Sequence, residues 1–172
     1  GGLSHWNANG TPVPADVFIA LAEKSDLICK LTRSVIRQVA EDYSTYLWAC
    51  KDFYITVNLS ARDIQDPTFP DFVASLLATY RMPARAMTFE ITEKTLLDQQ
   101  SAAMQLHRLR ACGHRIAVDD FGTGYCNLSL LDALPFDILK IDRSFIADDK
   151  IAATDALWRH IARLARSLRL KV

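Results

Sequence analysis

The chain has 172 residues, of which 50% are hydrophobic and 23% charged, as in a globular domain with a sizeable core. Lys and Arg number 20, as do Asp and Glu, and this balance argues against a protein that binds polymeric nucleic acid through a basic excess. No apolar run reaches the roughly 18 residues of a membrane span, so we expect any anchor to lie in parts of a parent protein outside this chain. The four cysteines form no Cys-x-x-Cys pair, and we interpret them as reduced thiols of a cytoplasmic domain.

The first third of the chain is predicted to hold one short strand and two helices. Residues 3–6 have the apolar character of a strand, and a polar turn follows at "NANGTPVP", where Asn9-Gly10 is a turn signal. Apolar spacing then predicts a helix over residues 16–23 and a longer one over residues 27–43.

From residue 53 onward, short apolar strands alternate with helices. The strands are predicted at residues 53–60, 86–92, 115–120 and 137–142, and the helices at 69–80, 101–112, 127–133 and 151–168. The final "RLKV" is predicted to begin another strand. Because parallel neighbours need a crossover between them, this alternation predicts an α/β protein with a parallel sheet, either a (β/α)8 barrel or an open doubly wound sheet.

The ends of the strands favour the barrel. Consecutive strands finish with polar side chains, which are Asn58, Glu90, the pair Asp119 and Asp120, and the pair Lys140 and Asp142. In a barrel, the carboxyl ends of all strands converge on one mouth, where catalytic groups lie. A barrel takes about 250 residues, so we expect residues 1–172 to form one partial domain without the first strand and the last one or two.

Four of these side chains form a candidate metal site. Asn58, Glu90, Asp119 and Asp120 offer only oxygen donors, which suit Mg²⁺, Mn²⁺ or Ca²⁺ rather than zinc. Adjacent strand residues point to opposite faces, so Asp119 and Asp120 can serve two ions. Each residue also has a structural explanation: a turn cap for Asn58, a hydrogen-bonded strand-end acid for Glu90, and an Asx-turn with a helix cap for the aspartate pair.

Lys140 lies within the apolar strand "ILKID" and admits three interpretations. It can form a buried ion pair, a Schiff base as in barrel aldolases, or a cation that positions water and stabilises phosphoryl oxygens. The nearby acids favour the last over the Schiff base, because they keep the amine charged.

Five motifs together resemble the EAL domain family of bacterial signalling proteins. They are "P-x-x-FI-x-x-AE" at residues 14–23, then "VNLSA", "FEITE", "DDFGTGY" and "LKIDRSF", and they extend over nearly the whole chain. The resemblance implies a TIM-like barrel of the EAL type that hydrolyses cyclic di-GMP to linear pGpG with two Mg²⁺ or Mn²⁺ ions. It also implies the possibility of a homodimer.

The resemblance implies a role for each motif residue. Asn58, Glu90, Asp119 and Asp120 correspond to metal ligands, and Lys140 to the lysine that orients the attacking water. Glu93 corresponds to the glutamate that fixes the loop after "DDFG". Asp142 is expected to complete the catalytic set as a residue that supports these groups. The substrate-binding positions are Leu3, His5 and Asp120.

The chain departs from the family pattern at its first motif. Gly1 stands where the family has a metal-binding glutamate, and His5 where it has an arginine. The sequence therefore supports an alternative, a catalytically inactive EAL module that binds cyclic di-GMP or a protein partner.

Overall fold

The computed structural model describes residues 6–8, 11–50, 53–93, 95, 99–121, 131, 133–142 and 151–172. Its strands are β1 (Trp6–Ala8), β2 (Thr11–Val13), β3 (Ile55–Asn58), β4 (Met87–Thr92), β5 (Arg115–Phe121) and β6 (Ile138–Ile141). Its helices are α1 (Ala15–Glu23), α2 (Leu27–Asp42), α3 (Ala61–Gln65), α4 (Phe69–Thr79), α5 (Gln99–Ala111) and α6 (Ile151–Ser167). A π-helical turn, Tyr43–Leu47, continues α2, and a 3₁₀ turn, Ala84–Ala86, precedes β4.

The strands β3 to β6 form one parallel sheet in chain order, as the alternation of strands and helices predicts. Asn58 of β3 pairs with Glu90 of β4, and Glu90 pairs with Ala117 of β5. The pairing of β5 with β6 shifts register between Val118 and Phe121. All four strands therefore end at the same edge of the sheet, which brings their terminal polar side chains to that edge.

The hydrophobic core lies between one face of this sheet and the helices. Phe89 and Ile116 point from the strands into a cluster that includes Phe69 of α4 and Leu106 of α5, all fully or almost fully buried. Side chains alternate along a strand, so the opposite face carries the other set of residues. That other face carries polar side chains, among them Thr56, Thr88, Glu90 and Asp119.

The structure corrects three local predictions. The segment predicted as a polar turn contains β1 and β2, which pair antiparallel with Trp6 opposite Val13. A short helix, α3, follows β3, and Ser60 and Asp63 form a reciprocal capping box at its start. The π-helical turn extends the second helix beyond its predicted end near residue 43.

The end of the chain agrees with the prediction of another strand, because Lys171 forms a parallel bridge with Ile138. Most of the helix predicted at residues 127–133 lies outside the described residues. None of the helices in the described part of the chain is both long enough and apolar enough to cross a membrane.

Candidate active site

The candidate site lies at the carboxyl edge of the parallel sheet. Asn58 and Glu90 are register partners on neighbouring strands and share one face. Asp119 lies on the same face of β5, two residues beyond the partner of Glu90. Lys140 comes from β6, the next strand across. Four successive strands thus each contribute one polar side chain to the same region.

Lys140 is the electrostatic centre of this group. Its Nζ lies 3.0 Å from Glu90 Oε1 and 2.9 Å from Asp119 Oδ2. The side chain of Glu90 is only 6% exposed, whereas that of Lys140 is 42% exposed. Partial burial lowers the pKa of Lys140, but the hydrogen bonds and negative charges of Asp119 and Glu90 outweigh it and hold the pKa above its usual value. The ammonium is therefore charged at neutral pH.

Asp120 is set apart from Asp119 by its backbone. Its φ of 55° places it in the left-handed region, which aspartate tolerates better than most residues. Its amide donates a hydrogen bond to Asp119 Oδ1 at 3.0 Å. Burial, followed by the negative charges of Asp119 and Asp142, raises the pKa of the Asp120 carboxyl. The two adjacent acids therefore have different environments at the end of one strand.

A cavity of about 470 Å³ adjoins this group. Asn58, Asp119 and Asp120 contribute to its lining, together with apolar residues of α1 and α2 such as Ile19 and Leu31. A second cavity of about 300 Å³ shares several lining residues with the first, which are Glu23, Ile28, Ser60, Thr92 and Thr95. The carboxylates therefore line a concave region of the size that small ligands occupy.

The structure brings most of the predicted site residues together. Glu93 is 3% exposed and, like Asp142, lies close enough to Asp120 to influence its charge. Gly1, Leu3 and His5 lie outside the described residues.

Three residues of the cavity were not predicted from the sequence. Ser60 lines it, as do Thr92 and Thr95, whose hydroxyl oxygens lie 2.9 Å apart. The strand period offered a signal for Thr92, because it lies two residues after Glu90 and therefore on the same face. Ser60 likewise lies two residues after Asn58.

Two of the predicted metal ligands, Glu90 and Asp119, contact a lysine, whose ammonium supplies the positive charge of this group. In the described ranges, no three His, Cys, Asp or Glu side chains are grouped closely enough to hold a metal ion. Two carboxylate oxygens nevertheless converge on one cation, the ammonium of Lys140, at 2.9 and 3.0 Å. Oxygen donors in such an arrangement suit a hard divalent cation.

A family model described as the EAL domain matches residues 3–172. The probable cyclic di-GMP phosphodiesterase PdeB of Escherichia coli (strain K12) is 34% identical over 171 residues, which are 99% of this chain and 33% of that protein. An uncharacterized signaling protein of Caulobacter vibrioides is 39% identical over 174 residues, or 99% of this chain and 21% of that protein. The chain thus spans a third or less of these two curated relatives.

Solved structures agree in fold. The PaMucR phosphodiesterase in complex with c-di-GMP superposes with a TM-score of 0.85 at 32% identity, over 97% of this chain and 72% of that chain. The EAL domain of Mycobacterium smegmatis DcpA gives a TM-score of 0.74 at 32% identity, over 82% of this chain and 65% of that one. These similarities confirm the predicted fold class, a TIM-like barrel, of which β3 to β6 are four consecutive strands.

Proposed function

The chain belongs to the EAL domain family, and from this membership we propose that its protein hydrolyses cyclic di-GMP to linear pGpG. The observation that carries the proposal is the position of Lys140. Its ammonium lies within 3.0 Å of both Glu90 and Asp119, beside a cavity that Asn58, Asp119 and Asp120 line. Cations and acids beside a concave site are the groups that phosphodiester hydrolysis requires.

In this proposal Asn58, Glu90 and Asp119 hold one divalent cation, Mg²⁺ or Mn²⁺, and Asp120 contributes to a second. Bound cations there supply positive charge for the phosphate oxygens and acidify water. The different backbone settings of Asp119 and Asp120 let their carboxylates serve separate positions. The oxygen-only donor set supports this assignment.

Lys140 orients the attacking water and donates hydrogen bonds to the phosphoryl oxygens as the P–O bond breaks. Its charge suits both tasks, because the neighbouring acids keep the amine protonated. Asp142 and buried Glu93 influence Asp120 electrostatically, and we assign them positioning roles rather than contact with the phosphate. Leu3 and His5 remain predicted substrate contacts, and a homodimer and a cytoplasmic location also remain predictions.

A second candidate function is binding of cyclic di-GMP without turnover. The observation that favours it is Gly1, which has no side chain at the position of the motif's metal-binding glutamate. Loss of a ligating carboxylate weakens metal binding by more than the roughly 10–100-fold that changes around the ligands produce. A module of this kind would keep the cavity and the lysine but lose the reaction.

The two candidates are separated by incubating the purified protein with cyclic di-GMP and Mn²⁺ or Mg²⁺ and resolving the products by chromatography. We expect pGpG, and we expect a chelator to abolish it. Asp119→Asn and Lys140→Ala should each lower kcat by at least about 100-fold, because each removes a charge near the reacting phosphate. Asp71→Asn is the matched control, since it removes a carboxylate from an exposed helix position that pairs only with Arg108 in the described structure.

Undiminished turnover in Asp119→Asn or Lys140→Ala would refute the assignment of these residues. Binding of the cyclic nucleotide without any linear product would refute hydrolysis and establish the second candidate. Equal loss in Asp71→Asn would indicate a general effect of charge or stability.

A further inference from the structure

Helix α6 and the residues that follow it carry a set of basic side chains that we call the basic stripe: Arg159, Arg163 and Arg166 on the helix, and Arg169 and Lys171 beyond its end. All five are exposed. At 100° per residue, the first three lie within about 60° of one another around the helix. The buried residues Ile161 and Ala165 lie on the opposite side, where they pack into the core. The fold therefore directs the three helical arginines of the basic stripe away from the core.

Acidic residues are absent from the last part of the chain, and Asp155, four residues before Arg159, is the last one in the sequence. Residues 156–172 contain no Asp or Glu, although the chain as a whole is neutral. In the described structure, four arginines elsewhere form ion pairs with aspartates, but none of the five basic-stripe residues does. Neutrality of the whole chain thus conceals a strongly positive local surface.

The helix itself gains little from this arrangement. Arg159 and Arg163 are four residues apart, and Arg163 and Arg166 are three apart, spacings at which like charges repel on a helix surface. The helix dipole favours a cation in the last turn, which accounts for Arg166. Asp155 stands four residues before Arg159, a favourable spacing on a helix, but neither it nor the dipole accounts for Arg163. An anionic partner would remove the repulsion.

We propose that the basic stripe docks this domain onto the anionic surface of a lipid bilayer. Ala162 and Ser167 are short, exposed residues beside the arginines, so the guanidinium groups can reach a flat surface without obstruction. An acidic protein partner would need apolar anchors at the centre of its interface. Of the exposed large hydrophobic residues in the described structure, Val172 alone lies in this segment. A second copy bound by two-fold symmetry would place one basic stripe against another.

The expected strength of membrane binding follows from the number of basic side chains. Each Lys or Arg near an anionic bilayer strengthens binding by roughly fivefold. Five such residues give weak, salt-sensitive binding that orients a domain without inserting it. Reversal of three charges should therefore weaken binding by at least about 100-fold.

The test is sedimentation of the purified protein with lipid vesicles. One set contains phosphatidylcholine and phosphatidylglycerol in a two-to-one ratio, and the other contains phosphatidylcholine alone. The variant carries Arg159→Glu, Arg163→Glu and Arg166→Glu. The matched control carries Lys24→Glu, Lys30→Glu and Arg37→Glu, which change net charge equally at exposed positions, one directly after α1 and two on α2. Thermal unfolding checks that both variants fold.

We expect the protein and the control to sediment with the anionic vesicles at low salt, and the basic-stripe variant to remain in solution. Equal binding to neutral vesicles, or retained binding by the basic-stripe variant, would overturn the proposal. Loss in the control of the same size would indicate net charge instead of this surface. A duplex DNA probe tests the alternative polyanion. If the protein binds this DNA as tightly as it binds the anionic vesicles, and the basic-stripe variant does not, the lipid assignment is overturned.

Discussion

Replacement of Thr88 by valine is expected to stabilise the protein. Thr88 lies in the middle of the sheet, between register partners Thr56 and Arg115, and its side chain is completely buried. In the described part of the chain, its Oγ1 has no hydrogen-bond partner. A buried hydroxyl without a partner loses its hydration without compensation, which costs about 1–3 kcal/mol. Valine has nearly the same shape and carries a methyl group in place of the hydroxyl.

We therefore expect Thr88→Val to raise the free energy of unfolding by about 1–2 kcal/mol. For a domain of this size, such a change raises Tm by roughly 3–6 °C. Urea unfolding and calorimetry measure the two quantities independently. The m-value should stay unchanged, because the substitution does not alter the surface that unfolding exposes.

Two further variants isolate the hydroxyl. Thr56→Val makes the same chemical change on the neighbouring strand, where the side chain is only half-buried and lines the cavity, so stability should change by less than about 0.5 kcal/mol. Thr88→Ser keeps the hydroxyl and deletes the methyl group, so it should destabilise the protein by about 1 kcal/mol. A lower Tm for Thr88→Val than for the unmodified protein would refute the reasoning, since it would mean that the hydroxyl is hydrogen-bonded.

Four other substitutions test three buried polar groups, which are His114, Asp63 and Glu90. Burial lowers the pKa of His114. Below the ordinary histidine pKa of about 6.5 the unfolded chain therefore binds more protons than the folded protein, and the free energy of unfolding should fall by up to about 1.4 kcal/mol per pH unit. Urea unfolding at pH 7.5 and 5.5 should show a smaller loss of stability in His114→Phe than in the unmodified protein. Asp63 Oδ2 accepts hydrogen bonds from Thr32 and Ser60. Asp63→Ala should therefore lower the free energy of unfolding by about 2–3 kcal/mol, and Asp63→Asn by less than about 1 kcal/mol, because the amide keeps an acceptor. Equal losses in the two variants, measured by urea unfolding, would contradict this prediction. Lys140→Met leaves Glu90 buried without its cation, so it should lower the free energy of unfolding by about 1 kcal/mol at pH 7 in the presence of a metal chelator. The expected loss is smaller than the roughly 3–5 kcal/mol of fully buried ion pairs, because Lys140 is 42% exposed. An unchanged Tm in calorimetry would count against the stabilising role of the ion pairs.

The sheet was predictable because its strands are rich in buried apolar residues. Each strand gave a short apolar run with a helix on either side of it, and the predicted strand at residues 86–92 differs from β4, Met87–Thr92, by one residue. The pairing of β1 with β2 was missed because strands of only three residues carry almost no periodic signal. Helix α3 was missed because its five residues are too few to show a period, although its capping residue Ser60 was visible in the sequence.

Part of the site followed from strand geometry. Parallel strands end at one edge, so Asn58 and Glu90 could be placed side by side from their positions at the ends of apolar runs, and the register agrees. The positions of Asp119 and Lys140 relative to each other could not be predicted in this way. The register between β5 and β6 shifts within the segment from Val118 to Phe121, and Asp120 adopts a left-handed backbone there. An irregularity of this kind has no period and depends on tertiary packing.

The structure reduces the number of interpretations that the sequence allows for Lys140. The sequence admitted an ion pair, a Schiff base or a cation for phosphoryl oxygens. Schiff-base chemistry needs a neutral amine, which enzymes obtain by removing the lysine from water or placing it near other cations. Here two carboxylates lie within 3.0 Å of Nζ, and the side chain keeps 42% of its exposure, so both influences favour the ammonium. The ion pair and the proposed phosphoryl role are therefore compatible, because the acids that hold Lys140 in place also keep it charged, as the proposed anionic substrate requires.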